Sequence, residues 1–365
     1  MIRVLQVLGD LDHGGIQSMI MNLYRSMDKT QIQFDFIVHA EKHPVYYDEI
    51  IGLGGKIYKF PQFKGYNLSK IKKTWRKFFQ EHPEYKILHS HVRSYASLYI
   101  PIAKKNGLKT IVHSHNTSNG RGVGACVKKI MQYPLRHQAD YLFACSKLAG
   151  DWLFGKRAVK RDNFKILRNA IEVEKYRFRQ ETRDRYRKEL GLEDSAVYIH
   201  VGRLHPSKNH SFLLDIFREI HWRNHNSNLV LVGDGDLRRE IESKIKELNL
   251  ADHVLVLGNR DDVSELLQAS DCFLLPSKWE GLGIVAVEAQ AASLKCICSE
   301  NVPAEVNVSD LCEFIPLRNK NEWIRHAMDL EYDRDGYDRS QSVIKSGYDL
   351  KQTCHFLTDF YKGLV

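Results

Sequence analysis

Residues 277–293 read SKWEGLGIVAVEAQAAS, a glycine-containing loop followed by a run of small and apolar residues. Gly281 and Gly283 lie in the loop half, and the second half has the composition of a packed helix that begins near Leu282 and would place Glu288 about two turns inside it. Glu280 and Glu288 also lie here, although an unpaired buried charge is costly. A loop that leads into a helix exposes free backbone amides, so the stretch favours a strand–loop–helix unit that binds a polar ligand.

Short apolar runs typical of buried strands alternate with amphipathic helical patterns on both sides of this stretch. The first set is RVLQVL, FDFIVH, KIYKF, ILHSH, TIVHSH and YLFACS; the second is AVYIHVGRL, NLVLVGDG, HVLVLG, CFLLPS, KCICSE and CEFIPL. Such alternation predicts parallel sheets covered by helices on both faces. A polar tract near residues 172–189 separates the sets.

We therefore predict an α/β protein with two doubly wound, Rossmann-like domains that face a central cleft. The first covers residues 1–168 and the second residues 169–344. We expect a C-terminal helix at about 345–365 to pack back onto the first domain. Ligands in such sheets bind beyond the carboxyl ends of the strands.

Composition indicates a globular protein without a membrane span. The 365 residues are 43% hydrophobic and 27% charged, and no apolar run approaches the ~20 residues that a span needs. The first residues, MIRVLQVLGDLDHGG, become acidic too soon for a signal peptide. The seven cysteines are odd in number and lie mostly in apolar runs, so we expect reduced core residues in a cytoplasmic protein.

Charge is unevenly shared between the two halves. Residues 1–168 contain 28 Lys and Arg against 12 Asp and Glu, a net of +16, while the remainder contains 26 against 33, a net of −7. This asymmetry suggests different partners for the two domains; the alternative is scatter over a solvated surface. Nucleic acid is not expected, because no known binding module is present.

Two cations follow the first strand of the second set. In GRLHPSKNH, residues 202–210, Arg203 and Lys208 lie on a loop just before a helix, where the positive helix end would help them hold an anion such as a diphosphate. The alternative is a pair of surface cations. For Glu280 and Glu288, the alternatives are a helix cap and a local ion pair.

These motifs occur together with GDGDLRREIE, GNRDDVSELLQASDCFLLPS and HGGIQSMIMNL. In this order they resemble the retaining glycosyltransferases of family 4, which have the two-domain GT-B fold. The resemblance covers most of the chain and is strongest from about Val201 to Glu305. HSHNT, near residue 113, looks most like bacterial enzymes that build capsule, exopolysaccharide or related surface glycans.

The resemblance implies roles by position. Arg203 and Lys208 would hold the donor diphosphate, Glu280 the donor sugar and Glu288 the ribose hydroxyls, while the backbone near Asn259 and Arg260 would meet the base. The other implied donor-binding residues are Gly14, Gly15, Gly202, Gly281, Leu282, Gly283 and Ile284.

On the acceptor side, the resemblance places His115 beside the reacting sugar, with His113 as the alternative because side chains on a strand alternate. The catalytic set is then His115, Arg203, Lys208 and Glu280, and further acceptor-side candidates are His91, His113 and Asn116. The family retains the anomeric configuration, which is most often explained by attack on the face that the phosphate leaves.

The implied substrates are a nucleotide sugar and a glycan. We expect a UDP-linked hexose or N-acetylhexosamine, with GDP as the next choice, and a polyprenyl-diphosphate-linked glycan or other saccharide as acceptor. We expect no cofactor and no metal. Asp234-x-Asp236 is more easily a turn and helix cap than a metal clamp, and no Cys/His cluster has structural zinc spacing.

Two rival functions remain open. Gly281-x-Gly283-x-x-Ala286, with Glu300 closing the next strand, is a passable dinucleotide fingerprint of an NAD-dependent oxidoreductase. It lies on a late strand, however, and leaves Arg203 and Lys208 unexplained. The other rival is a non-catalytic GT-B partner subunit.

A basic segment in the first half suggests a membrane surface as a partner. Residues 64–77 read KGYNLSKIKKTWRK, and as a helix they place Leu68, Ile71 and Trp75 on one face with cations over the rest. The alternative is an ordinary helix with its basic side in water. We expect peripheral association with anionic lipid at the inner face of the cell membrane.

Overall fold

The computed structural model describes residues 1–12, 15–39, 45–115, 122–331, 334 and 338–365. The chain divides into two compact units. Unit 1 comprises Met1–Ala170 and Leu350–Val365, and unit 2 comprises Ile171–Asp349. Each unit is built around one parallel sheet.

Unit 1 contains a seven-stranded sheet in the order β3-β2-β1-β4-β5-β6-β7. Its strands are β1 (Ile2–Leu8), β2 (Ile32–Val38), β3 (Ile57–Lys59), β4 (Ile87–Ser90), β5 (Lys109–Ser114), β6 (Tyr141–Ala144) and β7 (Phe164–Ile166). Its helices include α1 (Gly15–Ser26), α2 (Tyr47–Gly52), α3 (Leu68–Glu81), α4 (Ala96–Lys105), α5 (Val123–Gln132), α6 (Leu135–Gln138) and α7 (Lys147–Phe154).

Unit 2 contains a six-stranded sheet in the order β10-β9-β8-β11-β12-β13. Its strands are β8 (Ala196–Val201), β9 (Ser227–Val232), β10 (Val254–Gly258), β11 (Cys272–Leu275), β12 (Lys295–Ser299) and β13 (Cys312–Ile315). Its helices include α8 (Val173–Tyr176), α9 (Gln180–Leu190), α10 (His210–Arg223), α11 (Arg238–Glu247), α12 (Val263–Ala269), α13 (Ile284–Ala291), α14 (Lys320–Met328) and α15 (Ser340–Lys345). The last helix, α16 (Leu350–Lys362), belongs to unit 1.

Both faces of each sheet are covered by apolar side chains. In β1, Leu5 and Val7 join one buried cluster with Trp75 of α3, while Val4 and Leu8 join another. The strands of unit 2 divide their alternate residues between two clusters in the same way. Burial on both faces explains why the strands are continuous apolar runs.

Helix α16 packs against the first unit, although the whole of unit 2 separates it from that unit in the sequence. Leu350, Cys354, Leu357 and Tyr361 are buried, at spacings of three and four residues that place them on one face. They join the cluster that contains Ile20 and other residues of α1. The core of unit 1 is therefore built from both ends of the chain.

The polar tract between the two sets of strands belongs to unit 2. Its helix α9 has little apolar surface, and it is held by Arg183 and Arg187, which form ion pairs with Asp271 at the start of β11. The Arg187 guanidinium also donates to the carbonyls of Ala269 and Ser195. Charge-assisted hydrogen bonds therefore supplement the limited apolar packing of this helix.

The predicted fold class is confirmed in its strands and helices. Each predicted strand-like run contains a strand, and β7 is an additional short strand that was not predicted. The helix expected to begin near Leu282 begins at Ile284, because Gly283 has a left-handed backbone with φ of 83°. Six cysteines are buried as expected, but Cys126 is exposed.

We predict that Leu357→Ala lowers the free energy of unfolding by about 2–5 kcal/mol, because Leu357 is fully buried against unit 1 and its loss leaves a cavity. Urea denaturation measures the change. The matched control is Lys351→Ala on the exposed side of the same helix, which should change stability by less than about 0.5 kcal/mol. Equal effects of the two variants would contradict the packing of α16.

Candidate functional site

The strand order of unit 2 defines where a ligand can bind. The chain leaves β8 towards β9 on one side, and leaves β11 towards β12 on the other, so the order reverses between these two neighbours. At such a point the loops after the strands diverge and leave a crevice at their carboxyl ends. The loops after β8 and β11 carry the predicted residues Gly202–Lys208 and Glu280–Gly283.

Lys208 is positioned by a tight turn after β8. Residues Pro206–Lys208 form a 3₁₀ turn, in which the Ser207 amide donates to His205 Nδ1 at 3.2 Å. Asn209 then takes a left-handed backbone, φ 59°, before α10 begins. Gly202 leaves room for the lysine, because a Cβ at this position would lie 2.9 Å from Lys208 Cε.

Lys208 and Glu280 meet in an ion pair. Lys208 Nζ lies 2.5 Å from Glu280 Oε1, and Ser277 Oγ donates to the same oxygen at 2.7 Å. The Lys278 amide donates to the Ser207 carbonyl at 2.7 Å, which ties the two loops together. The side chains are 15% and 11% exposed, so the pair is largely shielded and yet reachable from solvent. The sequence predicted both residues but not their contact.

The positive end of α13 lies next to Glu280. Gly283 caps the helix with φ of 83°, a conformation that glycine adopts at little cost. Gly281 is exposed, Leu282 is buried, and Ile284 is the first helical residue. The free amides of this helix end can bind an anion or an oxygen-rich ligand.

Glu288 lies just over one turn into α13, rather than the predicted two turns. The Tyr176 hydroxyl hydrogen-bonds to its carboxyl group, a contact that the sequence did not reveal. Burial raises the pKa of Glu288 to about 7, and the Tyr176 hydrogen bond and Lys175 oppose the rise only partly. Glu288 therefore changes charge near neutral pH.

The remaining predicted donor residues of unit 2 are exposed. Arg203 lies at the start of the loop after β8. Asn259 and Arg260 follow β10, and Arg260 Nη2 forms an ion pair with Asp262 Oδ2 at 2.5 Å. His210, which was not predicted, is buried beside Lys208; burial and the positive charge of Lys208 lower the pKa of His210 to about 4.

The acceptor-side candidates of unit 1 lie at the ends of β4 and β5. His91 and His115 are buried, and His91 Nδ1 lies 2.8 Å from His115 Nε2. His113 is fully buried, and burial lowers its pKa to about 3. Gly15 begins α1. The predicted residues Gly14 and Asn116 lie outside the described residues.

Comparison with solved structures defines the class of fold. HepE (Alr3699) of Anabaena, in a crystal structure with UDP, superposes with a TM-score of 0.78 over 100% of both chains at 16% identity. The two parallel-sheet units are thus those of the GT-B glycosyltransferases.

Comparison of sequences defines the family. Residues 182–339 match the family model of glycosyl transferases group 1, and residues 13–175 match that of glycosyltransferase family 4. EpsF of Bacillus subtilis (strain 168), itself a provisionally assigned glycosyltransferase, is 32% identical over 98% of this chain and 96% of its own. The Escherichia coli UDP-Gal:α-D-GlcNAc-diphosphoundecaprenol α-1,3-galactosyltransferase is 37% identical over 37% of this chain and 36% of its own. The chain therefore belongs to glycosyltransferase family 4.

We predict that UDP binds more tightly as pH rises from about 6 to 8, by up to about tenfold, because Glu288 with its raised pKa becomes an anionic acceptor over this window. Isothermal titration calorimetry measures the affinity. The terminal phosphate of UDP titrates in the same window, so the control is Glu288→Gln. This variant should keep the pH dependence of affinity that comes from the phosphate and lose the part that comes from Glu288. Parallel pH profiles for the two proteins would contradict the role of Glu288.

Proposed function

We propose that the protein is a retaining glycosyltransferase that moves a hexose or N-acetylhexosamine from a UDP-sugar to a lipid-linked glycan in surface polysaccharide biosynthesis. The contact between Lys208 and Glu280 carries the proposal. It places a cation for a diphosphate and a carboxylate for a sugar side by side, at the point where the strand order reverses.

Lys208 and Glu280 would exchange partners when the donor binds. In the free protein each neutralises the other across 2.5 Å. A donor diphosphate, which carries two or more negative charges, would compete with Glu280 for Lys208 Nζ. Glu280 would then turn its acceptor oxygens to the sugar hydroxyls, with Ser277 still donating to one of them.

The chemistry that this site can perform is stabilisation of a leaving group. Breaking the bond to the sugar leaves negative charge on the diphosphate, and Lys208, Arg203 and the amides of α13 would stabilise that charge as preorganised groups. The departing phosphate would take the acceptor proton. Attack on the same face would retain the anomeric configuration, so no nucleophilic side chain is needed.

The choice of donor and acceptor is supported by similar proteins. HepE was crystallised with UDP, and the Escherichia coli relative transfers galactose from UDP-Gal to a diphosphoundecaprenol-linked sugar. A glycosyltransferase of Campylobacter jejuni, 28% identical over 48% of this chain, also acts on a diphospho-undecaprenol-linked sugar. UDP and a polyprenyl diphosphate acceptor are therefore the first pair to test.

The test is to incubate the purified chain with a panel of UDP- and GDP-sugars and a polyprenyl-diphosphate-linked sugar. Release of nucleoside diphosphate, and the anomeric configuration of the product by NMR, report transfer and retention. A chain that releases no nucleotide from any donor, with or without acceptor, would support the non-catalytic partner instead. The family assignment already disfavours the NAD-dependent alternative.

We predict that Lys208→Ala lowers turnover by about a hundredfold or more, because it removes a charge that stabilises the leaving diphosphate. Initial rates at saturating donor measure the effect, and circular dichroism checks that the variant is folded. Lys278→Ala is the matched control: it removes an exposed cation from the neighbouring loop and should keep near wild-type turnover. Unchanged turnover in folded Lys208→Ala would reject this role.

We further propose that unit 1 binds anionic membrane surfaces through α3. Ile71 and Trp75 are buried against the sheet, while Lys70, Lys73, Arg76 and Lys77 are exposed. Leu68, predicted on the apolar face, is partly exposed instead. Lys72 and Arg76 also line a groove of about 450 Å³ between α3 and α4, together with Lys105 of α4.

Helix α5 supports this proposal with an exposed apolar row. Val123, Val127 and Ile130 are spaced by four and three residues, and Val123 and Ile130 are 82% and 73% exposed. Lys128 and Lys129 lie between them. Apolar side chains beside cations suit the interface of a bilayer. Among the described residues, no helix is both long and apolar enough to cross a membrane.

We predict that the protein sediments with anionic liposomes at low salt, is released by high salt, and is not retained by neutral liposomes. Each cation near an anionic surface contributes roughly 1 kcal/mol, so changing Lys70, Lys72, Lys73 and Lys77 to Glu should abolish sedimentation while UDP affinity persists. The control variant changes Lys109, Lys156, Lys160 and Lys165 to Glu. These lysines are exposed on other elements of unit 1, and the total change in charge is the same. If both variants lost sedimentation equally, binding would depend on net charge alone, and a specific role of α3 would be rejected.

A further inference from the structure

Four buried histidines lie together on one face of the sheet in unit 1. His89 and His91 alternate at the end of β4, and His113 and His115 alternate at the end of β5. The strands are parallel neighbours, with His89 opposite Ile111, so alternate residues of both strands reach the same face. The ring centroids of His89 and His113 are 5.4 Å apart, and those of His91 and His113 are 5.3 Å apart.

Several ring nitrogens of this cluster are buried without a hydrogen bond. Among the described residues, His89 Nε2 and both nitrogens of His113 have no partner within normal geometry, although a backbone group of Leu167 approaches His113. His89 and His113 are 2% and 0% exposed. Buried polar atoms are usually paired, so unpaired nitrogens that share one cluster call for a ligand that accepts several lone pairs.

The neighbours of His89 and His91 are arranged to leave such lone pairs inside the cluster. Gln6 Oε1 lies 2.9 Å from His91 Nε2, and because it can only accept, the ring proton is on Nε2 and the lone pair is on Nδ1. The Tyr361 hydroxyl lies 2.8 Å from His89 Nδ1, where it can accept that ring's proton. Metal-binding histidines are oriented in this way by an acceptor on the far nitrogen.

We propose that His89, His91 and His113 bind a divalent transition metal ion, of which Zn²⁺ is the first choice because imidazole nitrogens suit it. One nitrogen from each ring lies within 4.8 Å of the others. A tetrahedral zinc site needs nitrogens ~3.4 Å apart, from Zn–N bonds of about 2.0–2.1 Å, so the rings must close by an ångström or so. Neutral imidazole is the form that binds metal, and burial of the three rings disfavours their protonation.

The fourth position of the site is adjacent to His115. His91 Nδ1 now lies 2.8 Å from His115 Nε2, and an ion on His91 Nδ1 would take the place of that hydrogen bond. His115 Nε2 or a water molecule would complete the coordination. The ion would join β4 to β5 and, through Tyr361, to α16, so its role would be to stabilise the packing of these elements.

The experiment measures metal in the full chain expressed with Zn²⁺ or Co²⁺ in the medium, because a site this deep must be filled during folding. We expect one Zn²⁺ per chain by elemental analysis after gel filtration in a weak chelator. The Co²⁺ protein should show the visible absorption of a tetrahedral nitrogen site, and Zn²⁺ added during refolding should abolish it. Mg²⁺ should change neither the Zn²⁺ content nor the Co²⁺ absorption.

Variants test whether this cluster, rather than other histidines of the chain, binds the ion. His89→Phe with His113→Phe should remove the bound ion, and Tyr361→Phe, which keeps the packing, should weaken Zn²⁺ affinity about ten- to a hundredfold. The matched control is His221→Ala with His253→Ala, whose rings are 3.9 Å apart in unit 2, and which should keep one Zn²⁺ per chain.

Wild-type protein without stoichiometric Zn²⁺ and without the Co²⁺ absorption would overturn the proposal, and would leave the cluster as neutral rings or as a site for water. Loss of the ion in the His221 and His253 variant would also overturn it. If the phenylalanine variant does not fold, the wild-type Co²⁺ spectrum and Tyr361→Phe decide the matter.

Discussion

All strand pairings in both sheets of the described chain are parallel, and the candidate site depends on this constraint. Parallel strands bring all their carboxyl ends to one edge of a sheet. Reversal of the strand order between β8 and β11 then separates the loops that follow them. Lys208 and Glu280, 72 residues apart in the chain, meet at that edge. The sheet topology thus creates the juxtaposition on which the proposed chemistry rests.

Much of this architecture could be predicted from sequence because buried parallel strands are continuous apolar runs with little ambiguity. The exception, β7, is only FKI, and Lys165 and Ile166 in it are exposed, so it carries no such signal. The start of α13 was misplaced by two residues because the loop ends at the left-handed backbone angle of Gly283. The composition of the stretch does not reveal that angle. Patterns report burial well, whereas helix termini depend on single dihedral angles.

The residues of the candidate site could be selected from sequence motifs, but the contacts between them could not be predicted. Arg203, Lys208, Glu280 and Glu288 could be singled out from motifs, since loops before helices limit where anion-binding groups lie. The Lys208–Glu280 pair and the hydrogen bond from Tyr176 to Glu288 join segments distant in sequence, and such contacts require the fold. The histidines show the same limit: alternation along each strand was visible, but their assembly into one cluster depends on the register of β4 against β5.

The return of α16 to unit 1 has a consequence for how the protein is made. Translation delivers residues 1–170 first, yet the core of that unit lacks Leu357 and Tyr361 until residues 350–365 are synthesised. The intervening residues, 171–349, take roughly 9–36 s to add at 5–20 residues per second. Unit 2 is contiguous and can complete its core while unit 1 still exposes the apolar surface that α16 covers. We therefore expect the core of unit 2 to be completed before that of unit 1, although unit 1 is synthesised first, and we expect unit 1 to expose apolar surface in the meantime.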